Sequence, residues 1–242
     1  MTRGFHCIIT ICCRGRRVAW FRIQHVVKFT VTVLYDNETV RSGLKADWGF
    51  AALVCAASGE NVLFDTGADG TILLHNAECL GVDHSVVQTV VISHWHWDHA
   101  GGLPFVIKQT PQAHLYAPSG ASGHVPEKQF HVVGSGQMEI VPGIYSTGVL
   151  AGIEQALVLQ SDAGGLVIMG CAHPGVHSLL EAASSIAEPS ALVGGLHGFR
   201  DLPLLDTLDV VYPCHCTQRK REILQRYPLK AKRCGVGMVL TA

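Results

Sequence analysis

Six consecutive residues, His94-Trp95-His96-Trp97-Asp98-His99, set three imidazoles and a carboxylate directly after the apolar run Val86-Val87-Gln88-Thr89-Val90-Val91-Ile92. The apolar run reads as a buried strand, so the polar group begins where that strand leaves the core. Histidine and aspartate are the side chains that hold zinc and other first-row ions. Packing gives no reason to crowd four of them into six positions. The segment therefore predicts a metal site at a strand end, and a fold that brings more ligands to the same place.

In an extended segment residues i and i+2 point the same way. His94 and His96 can grip one ion together, while Asp98 and His99, in the turn beyond, reach towards a second. Two ions need more ligands than these. Gly170-Cys171-Ala172-His173-Pro174-Gly175 follows the buried run Leu166 to Met169 and again sets two metal-binding side chains two apart. Gly194-Gly195-Leu196-His197-Gly198 follows Ala191 to Val193, and Pro213-Cys214-His215-Cys216-Thr217 follows Asp209 to Tyr212. In the last, alternation opposes His215 to both cysteines, so the three are not expected on one ion. Four strands thus end in a loop carrying histidine, and ligand sites of layered α/β folds sit at strand ends. Taken alone, His197 or His215 reads first as a hydrogen-bonded structural histidine, and the shared strand-end context turns His215 towards a ligand. Cys171 reads equally as an inert buried thiol or as a ligand or bridge.

Short strands alternate with helical patterns from Val27 onward. Lys28 to Tyr35 alternates with the strand period and stops at Asp36-Asn37; Phe50 to Ala57 and Asn61 to Phe64 flank the hairpin signal Ser58-Gly59-Glu60. Helices are predicted over Thr71 to Leu80, Ala100 to Lys108, Val176 to Ala187 and Gln218 to Arg226. Further strands are predicted over Val86 to Ser93, Ala113 to Tyr116, the hairpin Ala156 to Gln160 with Leu166 to Met169, and Gly235 to Leu240. The Gly-, Ser- and Pro-rich stretch Pro118 to Lys128 predicts a long surface loop. Strands followed by helices in each half suggest stacked sheets covered by helices, an α/β layered fold.

Hydrophobic residues make up 48% of the 242 and charged ones only 15%, which calls for a large buried interior. A net charge of -1 leaves no electrostatic footprint for nucleic acid. Nine cysteines, an odd total without a C-x-x-C pair, argue against a disulfide framework and for thiols in a reducing cytosol. Residues 1–26 differ from the rest. Their apolar run Cys7 to Cys13 is too short to span a bilayer, and Arg14, Arg16 and Arg17 follow it rather than precede it. They are expected to form an N-terminal extension or an added edge strand, with one domain over residues 27–242. A small-molecule substrate, no membrane and a cytoplasmic location are the expectation.

The run Ser93-His94-Trp95-His96-Trp97-Asp98-His99-Ala100-Gly101-Gly102-Leu103 resembles the H-x-H-x-D-H signature of the metallo-β-lactamase fold, and Leu63-Phe64-Asp65-Thr66-Gly67 resembles its upstream strand and turn. The resemblance covers about Val27 to Ala242 and implies an αββα sandwich with one or two metals at the edge of two sheets. The segments around Cys171, His197 and His215 resemble the branch of 7,8-dihydropterin-6-methyl-4-(β-D-ribofuranosyl)aminobenzene 5′-phosphate synthase-like proteins. That implies joining a dihydropterin methyl group to an aminobenzene ribosyl phosphate. Where many relatives of the fold carry a third histidine, this chain has Gly152-Ile153-Glu154-Gln155. Where they carry a bridging aspartate after a glycine, it has Gly170-Cys171. The departures argue against a true β-lactamase. Cys216-Thr217-Gln218 also has Gln where the branch leads one to expect Gly.

The ligand set expected is therefore His94, His96 and His173 on one ion and Asp98, His99 and His215 on the other. Asp65, Glu154, Cys171 and His197 are further candidates. Asp98 has competing roles as ligand and as catalytic base, and Asp65 suits a carboxylate that fixes a liganding imidazole. Thr217 is expected to cap the next helix, where N–H groups can meet a phosphate. Two zinc ions fit the imidazole-rich set, with iron or manganese as alternatives. Three functions follow: an enzyme acting on a phosphorylated or pterin-like molecule, a general phosphodiester, lactone or thioester hydrolase, and a metal-binding protein without catalysis.

Overall fold

The computed structural model describes residues 29–120 and 129–242. The expected N-terminal extension, and the expected surface loop from residue 121 onward, lie outside the described residues. Among the described residues thirteen strands form two sheets. The first has seven strands in the order β13(Val239–Thr241)-β1(Phe29–Tyr35)-β2(Ala51–Ala56)-β3(Asn61–Phe64)-β4(Thr89–Val91)-β5(His114–Ala117)-β6(Phe130–Val132). The second has six, β12(Val210–Cys214)-β11(Pro189–Gly195)-β10(Gly164–Met169)-β9(Leu157–Ser161)-β8(Ile144–Ser146)-β7(Met138–Val141).

Alternation decides which side chains fill which layer. Along β1 and β2, Val31, Val33, Ala52 and Val54 face the second sheet and meet Ile144, Leu157, Leu159 and Ile168. Leu53 and Leu63 face outward under α1(Gly70–Cys79) and α3(Leu103–Gln109), which bring Leu73, Ala77 and Val106. On the far side α4(Val176–Ser184) and α5(Lys220–Arg226) cover Val158, Val167 and Met169 with Leu179, Ala183 and Ile223. Both faces of each sheet are covered, so the central strands read as nearly continuous apolar runs. The result is an αββα sandwich. Truncating the wholly buried Leu179 to alanine would remove about 2–5 kcal/mol.

In each sheet the strands that lead to the histidine loops run parallel: β3 beside β4, and β10 beside β11 beside β12. Their C-terminal ends therefore lie at one edge of the sandwich, and Asp65, His94, Cys171, His197 and His215 follow them.

Several sequence expectations need correction. The helix expected from Ala100 to Lys108 is two, α2(Trp97–Ala100) and α3. Between them a Cβ on Gly101 would collide with the carbonyl oxygens of Ala68 and Trp97, and one on Gly102 with that of Thr66. The two glycines let the chain press against the turn after β3. Asp98 and His99 consequently sit on a helical turn rather than in a loop. The strand expected over Val86 to Ser93 is only Thr89–Val91, because Asp83 caps a 3-10 turn over His84–Val86. β6, β7 and β8 were not foreseen; each has only three or four residues. Thr217 does not cap α5, whose N-cap is Arg219. Its hydroxyl instead donates to the Cys214 carbonyl at 2.7 Å and accepts the Leu196 N–H at 2.9 Å, tying the ends of β11 and β12 together.

Candidate metal centre

The site begins with a carboxylate. Asp65 ends β3 with a positive φ of 58° and no exposed surface. Its Oδ1 accepts the Ser93 N–H at 2.7 Å and its Oδ2 the Ser93 hydroxyl at 2.7 Å. Because Ser93 spends its proton on Asp65, its oxygen accepts from His94 Nδ1 at 2.9 Å. The same Asp65 Oδ2 lies 2.7 Å from His99 Nδ1. One buried carboxylate thus fixes two imidazoles, and each presents Nε2 to the site. Burial pushes the Asp65 carboxyl well above its ordinary range, against the two Ser93 hydrogen bonds.

Around these, two groups of donor atoms face one another. His94 Nε2 lies 3.0 Å from His96 Nδ1, which lies 3.2 Å from His173 Nε2. His99 Nε2 lies 3.2 Å from His215 Nε2 and 3.2 Å from Cys171 Sγ. His215 Nε2 is 3.3 Å from Asp98 Oδ2, which is 3.9 Å from His99 Nε2. His215 is oriented by Asn37, whose Oδ1 lies 3.1 Å from Nδ1. The sulfur of Cys171 belongs to both groups, within 4.8 Å of the donor atoms of His94 and His173 and of those of His99 and His215.

These spacings fit ions of the zinc class. A tetrahedral ion with Zn–N bonds of about 2.0–2.1 Å separates its nitrogen ligands by about 3.3 Å. The imidazoles are also in the right protonation state. Burial and neighbouring histidines lower His94 to about 2 and His173 to about 4, and burial with the His215 charge lowers His99 to about 3. All three are neutral at physiological pH, as ligation requires. Burial would raise Asp98, but the His215 hydrogen bond and the His99 charge hold it below the usual carboxylate range. The Cys171 thiol is pushed up by its contact with Cys216 and by burial; a coordinated ion inverts that preference.

The remaining candidates fall outside the donor groups. Glu154, fully buried, points beneath the loop after β10. Its Oε1 accepts the N–H groups of Cys171 and Ala172 at 2.8 and 3.0 Å, and its Oε2 that of His173 at 2.8 Å. Burial raises its pKa against these three bonds. Glu154 thus serves as the anchor of a loop whose Ala172 takes a φ of 57°. His197, exposed and with a φ of 43°, places its ring 5.1 Å from that of His173. Cys214 points into the core between the sheets. Cys216 lies 3.9 Å from the Cys171 carbonyl oxygen.

Sequence reasoning missed three contributors. Asp36, fully buried, accepts the His215 N–H at 2.8 Å and so holds the turn in which His215 takes a φ of 47°. Asn37 also donates to the His215 carbonyl at 3.1 Å. Trp48 donates its indole N–H to Asp98 Oδ2 at 2.9 Å. In the sequence the Asp36-Asn37 pair reads only as a turn.

Comparison with known proteins agrees with this architecture. A 25%-identical crystal structure, described as a metal-dependent hydrolase of the beta-lactamase superfamily, superimposes with a TM-score of 0.71 over 88% of this chain and 98% of its own. An uncharacterized protein of Methanocaldococcus jannaschii is 24% identical over 233 residues, spanning 77% of this chain and 90% of that protein. The 7,8-dihydropterin-6-methyl-4-(beta-D-ribofuranosyl)-aminobenzene-5'-phosphate synthase of the same organism is 22% identical over 196 residues, 57% of this chain and 65% of that protein. The family model described as the metallo-beta-lactamase superfamily matches residues 49–184, more than half of the sequence. The chain belongs to the metallo-beta-lactamase superfamily.

Proposed function

We propose that this chain is a metal-dependent enzyme with a dinuclear site, acting on a phosphorylated or pterin-like small molecule. The observation that carries the reading is the pair of donor groups sharing Cys171 Sγ. His94, His96 and His173 would hold one ion, Asp98, His99 and His215 the other, and Cys171 would lie between them. Zinc suits the imidazoles and the thiol, with iron or manganese as alternatives. The likeness to a dihydropterin synthase supports the substrate class. Six described cysteines are free, which supports a reducing cytosol as the setting. No described helix is long and apolar enough to cross a membrane.

Ions bound there supply Lewis-acid polarisation of a phosphoryl or carbonyl oxygen and lower the pKa of water to about 7. The protein's own part is orientation and proton handling. Asp65, through Ser93 and directly, keeps His94 and His99 with Nε2 inward. Asp98, already ionised, orients an attacking water or takes its proton. In a synthase reaction the polarised oxygens would belong to a diphosphate leaving group, whose C–O bond to the pterin methylene breaks as the arylamine nitrogen bonds to that carbon and gives up a proton.

A general metallo-hydrolase is the second reading, favoured by the metal-dependent hydrolase that superimposes over 88% of the chain. Zinc- or manganese-loaded protein should be assayed against phosphodiester, lactone and thioester substrates, and for diphosphate release from a dihydropterin diphosphate with an arylamine. Turnover of the pterin pair, lost in His96→Ala, supports the first reading. Turnover of only the simple esters favours the second. No turnover by fully loaded protein would leave a metal-binding protein without catalysis.

A further inference from the structure

Trp48 has no part in ligation, yet it stands beside the donor groups with half of its surface, 50%, exposed. Its indole N–H is spent on Asp98 Oδ2 at 2.9 Å, and its ring centroid is 5.3 Å from that of His215, tilted by 58°. A buried Trp hides its apolar faces, and one free on a surface has no fixed orientation. Here the orientation is set while half of the residue's surface stays exposed.

The backbone that carries the ring is also held. Gly49 N–H donates to Asn37 Oδ1 at 3.1 Å and Phe50 N–H to the Asp98 carbonyl at 3.2 Å. A Cβ at Gly49 would collide with that same carbonyl oxygen, so only glycine lets residue 48 sit this close to Asp98. The indole is therefore pre-organised, and a ring placed against it forfeits little further freedom. Trp97, with 64% of its surface exposed, immediately precedes Asp98 at the start of α2.

We propose that Trp48 is the stacking wall of the site, binding a flat aromatic part of the substrate whose anionic group meets the metal centre beside Asp98 and His215. The proposal rests on the reading of this site as a metal centre that binds substrate, and names a residue that selects among substrates. Aromatic stacking needs the ring and not its N–H. Phe should therefore replace Trp48 where Leu does not.

The test uses zinc-loaded protein and calorimetric titration with phenylphosphonate and ethylphosphonate, which share an anionic group and differ in the ring. Metal content is measured on every variant. Trp48→Leu is expected to weaken phenylphosphonate about tenfold or more and leave ethylphosphonate unchanged, with Trp48→Phe close to wild type for both. Equal binding of phenylphosphonate by wild type and Trp48→Leu would overturn the wall. Parallel weakening of both phosphonates in both variants would also overturn it and reduce Trp48 to an anchor for Asp98. Wild type that binds neither phosphonate contradicts the phosphorylated-substrate reading instead. The wall is then decided with 2-naphthoate, where equal or undetectable binding by wild type and Trp48→Leu overturns it.

Discussion

His94, His96, Asp98 and His99 come from one stretch of six residues, whereas Cys171, His173 and His215 come from the ends of two strands far apart in sequence. The first group reaches its place through ordinary backbone, a strand end followed by the helical turn α2. The second needs Ala172 and His215 in the left-handed region, with φ of 57° and 47°. Such backbone persists only when its surroundings over-determine it. The surroundings are buried carboxylates: Glu154 collects three N–H groups of the first loop, and Asp36 collects that of His215. Asp65 does the same for Ser93 and extends the service to two imidazoles. A contiguous ligand segment carries its own backbone geometry and borrows only the orientation of its imidazoles, from Asp65, while the dispersed one borrows its backbone as well, from Glu154 and Asp36.

The largest effects are expected where a proposed ligand is removed. His96→Ala and His215→Ala should each reduce activity to background while the circular dichroism spectrum stays that of wild type. Each should also release one ion by elemental analysis, from the contiguous and the dispersed group respectively. Loss of both ions from either variant would mean that the halves do not bind separately.

Next comes the shared carboxylate. Asp65→Asn should weaken metal binding by about 10–100-fold, since it disturbs His99 directly and His94 through Ser93. Ser93→Ala should fall nearer tenfold, because only His94 loses its partner. Competition with a chromophoric chelator measures both, and equal effects would break the proposed relay.

A loss of stability rather than of metal affinity is expected of Glu154→Gln, which keeps the size but puts an NH2 where one oxygen accepted an N–H. One or two N–H groups of the Cys171–His173 loop lose their acceptor, at about 1–3 kcal/mol each. Urea unfolding of the metal-free protein checks this, and an unchanged midpoint would contradict the anchoring role.

Mild acid should do least. The folded-state pKa values of His173, His99 and His94 are lowered to about 4, 3 and 2, so these three imidazoles stay neutral until pH falls towards those values. Dialysis at pH 6 should leave metal content unchanged, with release setting in near pH 4. Release already complete at pH 6 would mean ordinary imidazoles.

How much of this was legible in the sequence follows the same division. Elements with clear periodicity and clean ends, such as the hairpin of β2 and β3 and the helix α1, match their expected spans closely. Strands of three residues do not carry a period, which is why β6 and β8 escaped. In the site, His, Cys and Asp side chains announced themselves by type and spacing. Glu154 stands out by its position as a further ligand candidate, yet it accepts three backbone N–H groups; a carboxylate looks the same in sequence whether it faces a cation or N–H groups. Asp36 and Asn37 resembled any turn. Trp48 left no signal, since its link to Asp98 spans fifty residues.

The proposed bridge at Cys171 is best tested by metal analysis joined to X-ray absorption at the zinc edge. Two ions per chain are expected, with sulfur scattering at about 2.3 Å that disappears in Cys171→Ser. A single ion per chain, or two ions with only nitrogen and oxygen neighbours, would contradict a dinuclear centre joined through that sulfur.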